Sequence, residues 1–114
     1  MAETVFSKIL RKEINARLVH EDELCIAFHD VAPQAPTHIL VIPRKPVESL
    51  AVCNSDDKAL MGHLLDVVRQ IAADLGIAAD GYRVVINCGA NGGQSVDHLH
   101  IHLLGGRAMT WPPG

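Results

Sequence analysis

The segment Asp97–Leu104, with the sequence DHLHIHLL, decides how the rest of the chain is interpreted. Histidine and aliphatic residues alternate strictly along it, and successive side chains of a β-strand point to opposite faces of a sheet. The pattern predicts a strand over residues 98–104 with three histidines on one face and aliphatic residues facing the core. The three histidines are His98, His100 and His102.

Outward from this strand, apolar periodicity and turn residues divide the chain into two helices and four further strands. The predicted elements are a helix over 4–13 capped by Thr4, strands over 17–21, 23–29, 37–42 and 82–87, and a helix over 55–75 with Ser55 as its N-cap. Short connections between consecutive strands favour antiparallel pairing. We therefore predict an α+β fold: a mostly antiparallel five-stranded sheet with one short and one long helix, the long one covering one face.

Composition restricts the class of protein. A length of 114 residues predicts one domain over 1–114. The formal charge of −3 argues against a nucleic-acid polymer as partner. No apolar run reaches the length of about 20 residues that spans a bilayer, so no membrane partner is expected. The three cysteines, with no C-x-x-C pair, favour free thiols and a cytoplasmic location.

The histidine strand has three competing interpretations. The first is a row of solvated residues on the outer face of the sheet. The second is a metal site made of two of these histidines and His38, because His98 and His102 lie about 13 Å apart along an extended strand and cannot share one tetrahedral ion. The third is nucleophilic catalysis at phosphorus, for which imidazole is suited near neutral pH.

Other polar residues are ambiguous by themselves. The loop Gly89–Gly93 predicts either a hairpin connection or backbone N–H groups that approach phosphate oxygens. Asp30 could stabilise a turn or accept hydrogen bonds from ribose hydroxyls. Asn87 could be a polar residue at a strand end or could contact a ligand. The remaining histidines are expected to be ordinary half-exposed residues; they are His20, His29 and His63.

The histidine strand resembles the H-x-H-x-H signature of the histidine-triad (HIT) superfamily. Further segments are similar to its Hint branch; they are Phe28-His29-Asp30, Ala35-Pro36-Thr37-His38, Gly92-Gly93-Gln94-Ser95 and the Gly-Gly-Arg…Trp-Pro-Pro-Gly ending. The resemblance runs from about Thr4 to Gly114. It implies a HIT-like homodimer with one continuous sheet. It also implies hydrolysis of purine nucleoside phosphoramidates and acyl-adenylates, with release of the nucleoside monophosphate and without a metal or other cofactor.

The resemblance also implies a role for each matching position. His100 would attack phosphorus and form a nucleotidyl-histidine. His102 would contact the phosphate, and His98, backed by His38, would orient His100. Ser95 would help to protonate the leaving group. The other nucleotide-binding residues would be Asp30 at the ribose, Asn87, Gly93 and Gln94 near the ribose and phosphate, Phe6, Ile9, Phe28 and Val31 around the base, and Trp111 reaching the partner subunit's site.

Two positions depart from this resemblance. Asp97 replaces an aromatic or uncharged residue, and Thr110 replaces a histidine found in some relatives. Two other functions stay open at this point: a nucleotide-binding regulatory protein with incidental hydrolysis, and a dinucleoside polyphosphate hydrolase. The Trp-Pro-Pro-Gly ending argues against the second of these.

Overall fold

Five antiparallel strands form one sheet in the computed structural model, which describes residues 3–114. The strands are β1 (Leu18–Glu21), β2 (Cys25–His29), β3 (Thr37–Pro43), β4 (Tyr82–Val85) and β5 (Ile101–Gly105), and the helices are α1 (Val5–Leu10) and α2 (Lys58–Asp74). Their order across the sheet is β1-β2-β3-β5-β4. The predicted α+β class, the five-stranded antiparallel sheet and the short and long helices are confirmed.

Strands β3 and β5 pair side by side, with Leu40 opposite His102 and Ile39 opposite Leu103. Because side chains alternate along both strands, each face of the sheet has its own hydrophobic cluster. Ile39 and Leu103 belong to the larger cluster, which also contains the buried residues of α2. Leu40 belongs to the smaller one, with Phe6 of α1 and Phe28 of β2. His102 of β5, opposite Leu40, therefore faces the side that the long helix leaves uncovered.

Helix α2 begins differently from the prediction. Ser55 is not its cap. Residues Ser55–Asp57 form a 3₁₀ turn, and the preceding Asn54 caps that turn by accepting a hydrogen bond from the Asp56 N–H at 2.8 Å. Asp57 in turn accepts from the Asn54 N–H at 3.0 Å. Asn is as good a capping residue as Ser, so the start signal lies one residue earlier than predicted.

Helix α1 is short but firmly placed. Thr4 and Ser7 form a reciprocal capping box, in which each backbone N–H donates to the other side chain. This confirms Thr4 as the cap, although the helix ends at Leu10 and not at residue 13. A six-residue helix is unstable in isolation, so packing holds it. Phe6 meets Phe28 edge to face, with ring centroids 5.8 Å apart.

The final strand begins later than predicted, at Ile101 instead of residue 98. Residues 98–100 lie beside the segment that follows β3, and the Leu99 N–H donates to the Val47 carbonyl at 2.7 Å. Two prolines explain the change, because neither Pro43 nor Pro46 has an N–H to continue the ladder. The side chains keep their alternation, since Leu99 is in the larger cluster while His100 contacts Phe6.

Within residues 3–114, no helix is both long enough and apolar enough to cross a lipid bilayer.

Two glycine substitutions should change stability in opposite directions. Gly62 lies on the exposed face of α2, and a Cβ there would meet no atom within 4 Å. We expect Gly62→Ala to raise the free energy of unfolding by about 0.5–1 kcal/mol, because it removes backbone entropy from the unfolded chain. A Cβ on Gly92 would lie 2.3 Å from the Cys88 carbonyl oxygen, so Gly92→Ala should destabilise the protein.

Urea denaturation of the two variants beside the wild type measures both effects. Equal stability of Gly92→Ala and wild type would contradict the described loop.

Candidate active site

His100 is oriented by the backbone of the segment just before β5. Its Nδ1 lies 2.7 Å from the carbonyl oxygen of His98, and a carbonyl can only accept, so Nδ1 carries the proton. In the neutral ring the lone pair is then on Nε2. The ring is 97% buried, since the residue is 3% exposed, and the edge of Phe6 packs against it with centroids 5.0 Å apart. His100 thus has one free basic nitrogen in a fixed orientation.

His98 is a buried structural partner. Its Nε2 donates to the Pro43 carbonyl at 2.9 Å, which ties the segment before β5 to the end of β3. Among the described residues, its Nδ1 is the one buried side-chain nitrogen or oxygen without a hydrogen-bond partner. His98 therefore contacts the ring of His100 through its carbonyl and not through its imidazole.

His38 contacts His102, and this corrects the expectation that His38 would back His98. The His38 Nε2 and the His102 Nδ1 are 2.9 Å apart. The register explains the pairing: Leu40 lies opposite His102, so His38, two residues earlier on the same face, reaches it diagonally. The Gln34 N–H donates to His38 Nδ1 at 3.0 Å, so His38 carries its proton on Nε2 and donates to His102. Because Nδ1 of His102 accepts this hydrogen bond, the neutral His102 ring carries its own proton on Nε2. We call this pair of hydrogen-bonded histidines, His38 and His102, the relay.

Burial keeps these imidazoles uncharged. Desolvation lowers the pKa of His38, although the carboxylate of Asp30 partly opposes it. Desolvation also lowers the pKa of His98. At His102, desolvation and the neighbouring rings of His100 and His38 lower the pKa to about 4. At neutral pH the site consequently presents N–H dipoles and lone pairs instead of positive charge.

A pocket of about 350 Å³ opens beside His100 and His102. Eight residues named from the sequence line it; they are Phe6, Ile9, Phe28, Asp30, Val31, Ser95, His100 and His102. Its walls are mainly apolar towards α1 and polar towards the start of β5. The size suits a small molecule with a flat apolar part and a few polar groups.

Asp30 connects the pocket to the relay. Its Oδ1 accepts from the Ala32 N–H at 2.8 Å, which confirms a role in the turn. Its Oδ2 lies 3.4 Å from Nε2 of His38, and the residue also lines the pocket. The turn interpretation and the ligand interpretation are therefore compatible, because the two oxygens face different partners.

Three residues named from the sequence shape a loop instead of lining the pocket. The Asn87 side chain donates to the Gly92 carbonyl at 2.7 Å. Gln94 accepts from the Gly89 N–H at 3.0 Å and donates to the carbonyls of Glu48 and Val96. Gly93 has a positive φ of 75° in the same turn. These bonds set the course of the chain just before Ser95.

Trp111 lies outside the pocket and is 81% exposed in the single chain. The tail that carries it is held by hydrogen bonds from Arg83 to the Thr110 carbonyl and from Arg107 to the Gln34 carbonyl.

Other lining residues were not expected. They are Val5, Ile14, Asn15, Ala16, His29, Leu40 and Val96. Leu40 could have been found, because it shares a strand face with His38 at a spacing of two. Residues 14–16 lie in an irregular connection after α1 and carry no pattern that marks a pocket.

The competing interpretations of the histidine strand can now be compared. The first interpretation, a row of solvated histidines, is wrong for His98 and His100, which are only 1% and 3% exposed. His38 is also buried, at 5% exposure. The polar atoms that converge are those of Asp30, His38 and His102, within 4.8 Å of one another. The geometry fits an imidazole nucleophile most directly.

Comparison with known proteins identifies the class. The profile of the HIT domain matches residues 11–109, and the chain belongs to this family. The histidine-triad resemblance read from the sequence is confirmed.

Particular relatives cover nearly the whole chain. An uncharacterized HIT-like protein of Synechococcus elongatus is 59% identical over 112 residues, covering 98% of this chain and 97% of that one. The crystal structure of a HIT family hydrolase from Legionella pneumophila superposes with a TM-score of 0.96 at 46% identity, over 98% of this chain and 100% of the other. A histidine triad nucleotide-binding protein of Candida albicans has a TM-score of 0.80 at 29% identity, over 96% and 83% of the two chains.

The buried imidazoles predict a loss of stability in mild acid. Below about pH 6.5 the unfolded chain binds protons at these histidines, whereas folded His102 binds one only near pH 4. Because the unfolded state binds more protons in this range, the free energy of unfolding should fall as the pH drops from about 6.5 towards 4.

Urea denaturation at several pH values tests this prediction. In His102→Asn the amide oxygen can still accept from His38, but the variant lacks the His102 imidazole with its lowered pKa. The decrease in the free energy of unfolding between about pH 6.5 and 4.5 should therefore be smaller than in the wild type. An unchanged loss in that variant would contradict it.

Proposed function

We propose that the protein is a hydrolase that cleaves the P–N bond of purine nucleoside phosphoramidates, and of related acyl-adenylates at the corresponding P–O bond, releasing the nucleoside monophosphate. One observation carries the proposal: the Nδ1–H of His100 donates to the His98 carbonyl, which leaves Nε2 as a free lone pair on a residue that lines the pocket. Family membership and the hydrolase named among the similar structures support it.

In the first step, Nε2 of His100 forms a bond to phosphorus and the bond to the leaving nitrogen breaks. The departing amine needs a proton, and the Ser95 hydroxyl at the pocket wall can help to supply it. The His100 ring becomes an imidazolium that carries the nucleotide on Nε2. The His98 carbonyl stabilises that charge because it already accepts from Nδ1.

In the second step, water attacks the same phosphorus. A P–O bond forms, the P–Nε2 bond breaks, the imidazole leaves as a neutral ring, and the water gives up a proton that restores the Ser95 hydroxyl. His102 presents an N–H to the phosphate oxygens in both steps, since the His38 relay fixes its proton on Nε2. Preorganised donors of this kind lower barriers by stabilising charge without reorganisation. The proposed chemistry uses no metal or other cofactor.

The rest of the pocket suits a purine nucleoside. The Oδ2 oxygen of Asp30, 3.4 Å from Nε2 of His38, can also accept from ribose hydroxyls, as acidic residues do in other nucleotide sites. Aromatic and aliphatic side chains offer flat apolar walls to the base; they are Phe6, Ile9, Phe28 and Val31. Asn87, Gly93 and Gln94 would act by holding the loop that positions Ser95.

Removal of the nucleophile should stop turnover. We expect His100→Ala to lower kcat/KM for an adenosine phosphoramidate at least about 10³-fold and to abolish the covalent adenylate, which in the wild type is detected by mass spectrometry after an alkaline quench that preserves the P–N bond. Arg69→Ala, a substitution on the exposed face of α2 outside the pocket, is the control and should keep wild-type activity.

Retained turnover or retained adenylate in His100→Ala would refute the mechanism. A panel of adenosine and guanosine phosphoramidates, with a dinucleoside polyphosphate beside them, separates this proposal from its alternatives. Faster cleavage of the polyphosphate would favour the polyphosphate hydrolase. Tight nucleotide binding with negligible cleavage of every substrate would favour a nucleotide-binding regulatory protein.

We also propose a homodimer whose two sheets continue into each other. Strand β4 is the sheet edge next to β5, and its Tyr82 and Val84 are 38% and 39% exposed. Leu50 and Leu65 are exposed apolar residues beside the same edge, around a wholly apolar groove. Such an edge and patch on one side suit a second copy of the chain. In that arrangement the exposed Trp111 would reach the partner subunit's site.

A charge at this edge should separate the subunits. We expect wild-type protein to sediment as a dimer, and Val84→Asp to shift the equilibrium to monomer by at least tenfold in dissociation constant, because it buries a carboxylate in the contact. Leu24→Asp, an exposed apolar residue in the turn before β2, is the matched control. A wild-type monomer at micromolar concentration would disprove the dimer.

The whole chain, residues 1–114, is proposed to be a single HIT domain that acts in the cytoplasm. The three cysteines of the structure are free thiols, which suits a reducing compartment.

A further inference from the structure

A second cluster of polar side chains lies away from the pocket, where the β1–β2 turn meets α2. The carboxylate oxygen Oδ2 of Asp22 is 2.6 Å from Nε2 of His20 and 2.8 Å from Nε2 of His63. The thiol of Cys25 lies 3.5 Å from the same oxygen. His20 and His63 are half-exposed, as expected from the sequence, but both also contact this carboxylate.

The position of this oxygen is imposed by the turn. The other carboxylate oxygen of Asp22 accepts from the backbone N–H groups of Leu24 and Cys25, at 2.7 and 2.9 Å. The carboxylate therefore cannot rotate away, and three donor groups from three parts of the chain meet at Oδ2. One oxygen with two lone pairs cannot satisfy three donors equally. A metal cation bound between these groups could replace the protons that they now share with Oδ2 of Asp22.

The donor set is that of a zinc-type transition metal. Imidazole nitrogen, carboxylate oxygen and thiolate sulfur are the groups that bind Zn²⁺, at about 2.0–2.3 Å. The ligand atoms of His20, Asp22 and Cys25 lie within 4.8 Å of one another. Tetrahedral ligands at those bond lengths are about 3.3–3.8 Å apart, so side-chain shifts of about 1 Å would open the cluster. The Nε2 of His63 is 2.8 Å from Asp22 Oδ2 but lies outside this group of three, so His63 becomes the fourth ligand only when its ring shifts farther than the others.

Access and burial also fit such a site. The side chains of His20, Asp22 and His63 are 28%, 26% and 33% exposed, which leaves a path for an ion. Cys25 is completely buried and forms the floor of the cluster. None of these residues lines the nucleotide pocket.

We propose that His20, Asp22, Cys25 and His63 form a zinc-type metal site that fastens the β1–β2 hairpin to α2. On binding, each imidazole ligates through Nε2 with its proton on Nδ1, and Cys25 ligates as thiolate after releasing its proton to solvent. The site is independent of the proposed hydrolase chemistry, and its role is structural.

Cobalt titration of the chelator-treated full-length protein tests the proposal. We expect one equivalent of Co²⁺ to bind with the intense visible bands of a tetrahedral complex and a near-ultraviolet thiolate-to-cobalt band. Cys25→Ser should lose the thiolate band, while His20→Phe and His63→Leu should each weaken Co²⁺ binding at least tenfold. Zn²⁺ should raise the midpoint of thermal unfolding in the wild type and not in His20→Phe.

His102→Asn is the control for the other cluster, at Asp30 and His38, and should bind Co²⁺ as the wild type does. Binding lost in His102→Asn and kept in both His20→Phe and His63→Leu would overturn the proposal. So would a complex without the thiolate band, or no binding at 100 µM Co²⁺. Circular dichroism confirms that each variant is folded. Hydrolysis by His20→Phe is measured in parallel, so failure of the metal site is distinguishable from failure of the proposed hydrolase.

Discussion

The antiparallel pairing of β3 with β5 is the constraint on which the rest of the site depends. Its register sets Leu40 opposite His102, and this brings His38 and His102 into hydrogen-bond contact although they are 64 residues apart in the chain. The same pairing sends Ile39 and Leu103 to the side of α2. The sheet thus has an aliphatic core on one face and imidazoles on the other. A single strand register determines both faces, so a change of register would disrupt both.

Burial of these imidazoles has a cost and a use. A buried ring nitrogen without a partner, such as Nδ1 of His98, costs about 1–3 kcal/mol. Desolvation of His38 and His102 removes stability in acid. In return, the ring protons have defined positions. The Gln34 N–H fixes the tautomer of His38, and the His98 carbonyl fixes that of His100. The larger cluster beneath α2 supplies the stability that this face lacks.

The sequence predicted the fold and the face of the histidines because both follow from local patterns. Alternation along 98–104 is visible without knowing any partner strand, and the capping residue Thr4 acts within its own helix. The start of β5 at Ile101 was not predictable in this way, since it depends on Val47 and on prolines from a distant segment.

Contacts across the fold were likewise beyond the sequence. The partner of His38 depends on strand register, and the three donors on Asp22 meet only after α2 packs beside the hairpin. The side-chain amide of Gln94 donates to the carbonyls of Glu48 and Val96, and no sequence motif indicates these contacts. Asp30 illustrates the intermediate case, because its residue type allowed a turn or a ligand role and the structure accommodates both.

The pocket walls contain no lysine or arginine among the described residues. A phosphate group in this pocket would be held by N–H dipoles and not by a full positive charge, so little counterion exchange would accompany its binding. Affinity would then vary weakly with ionic strength, unlike that of sites built on basic side chains. An acidic chain with a formal charge of −3 can in this way accommodate an anion without reversing its own surface field.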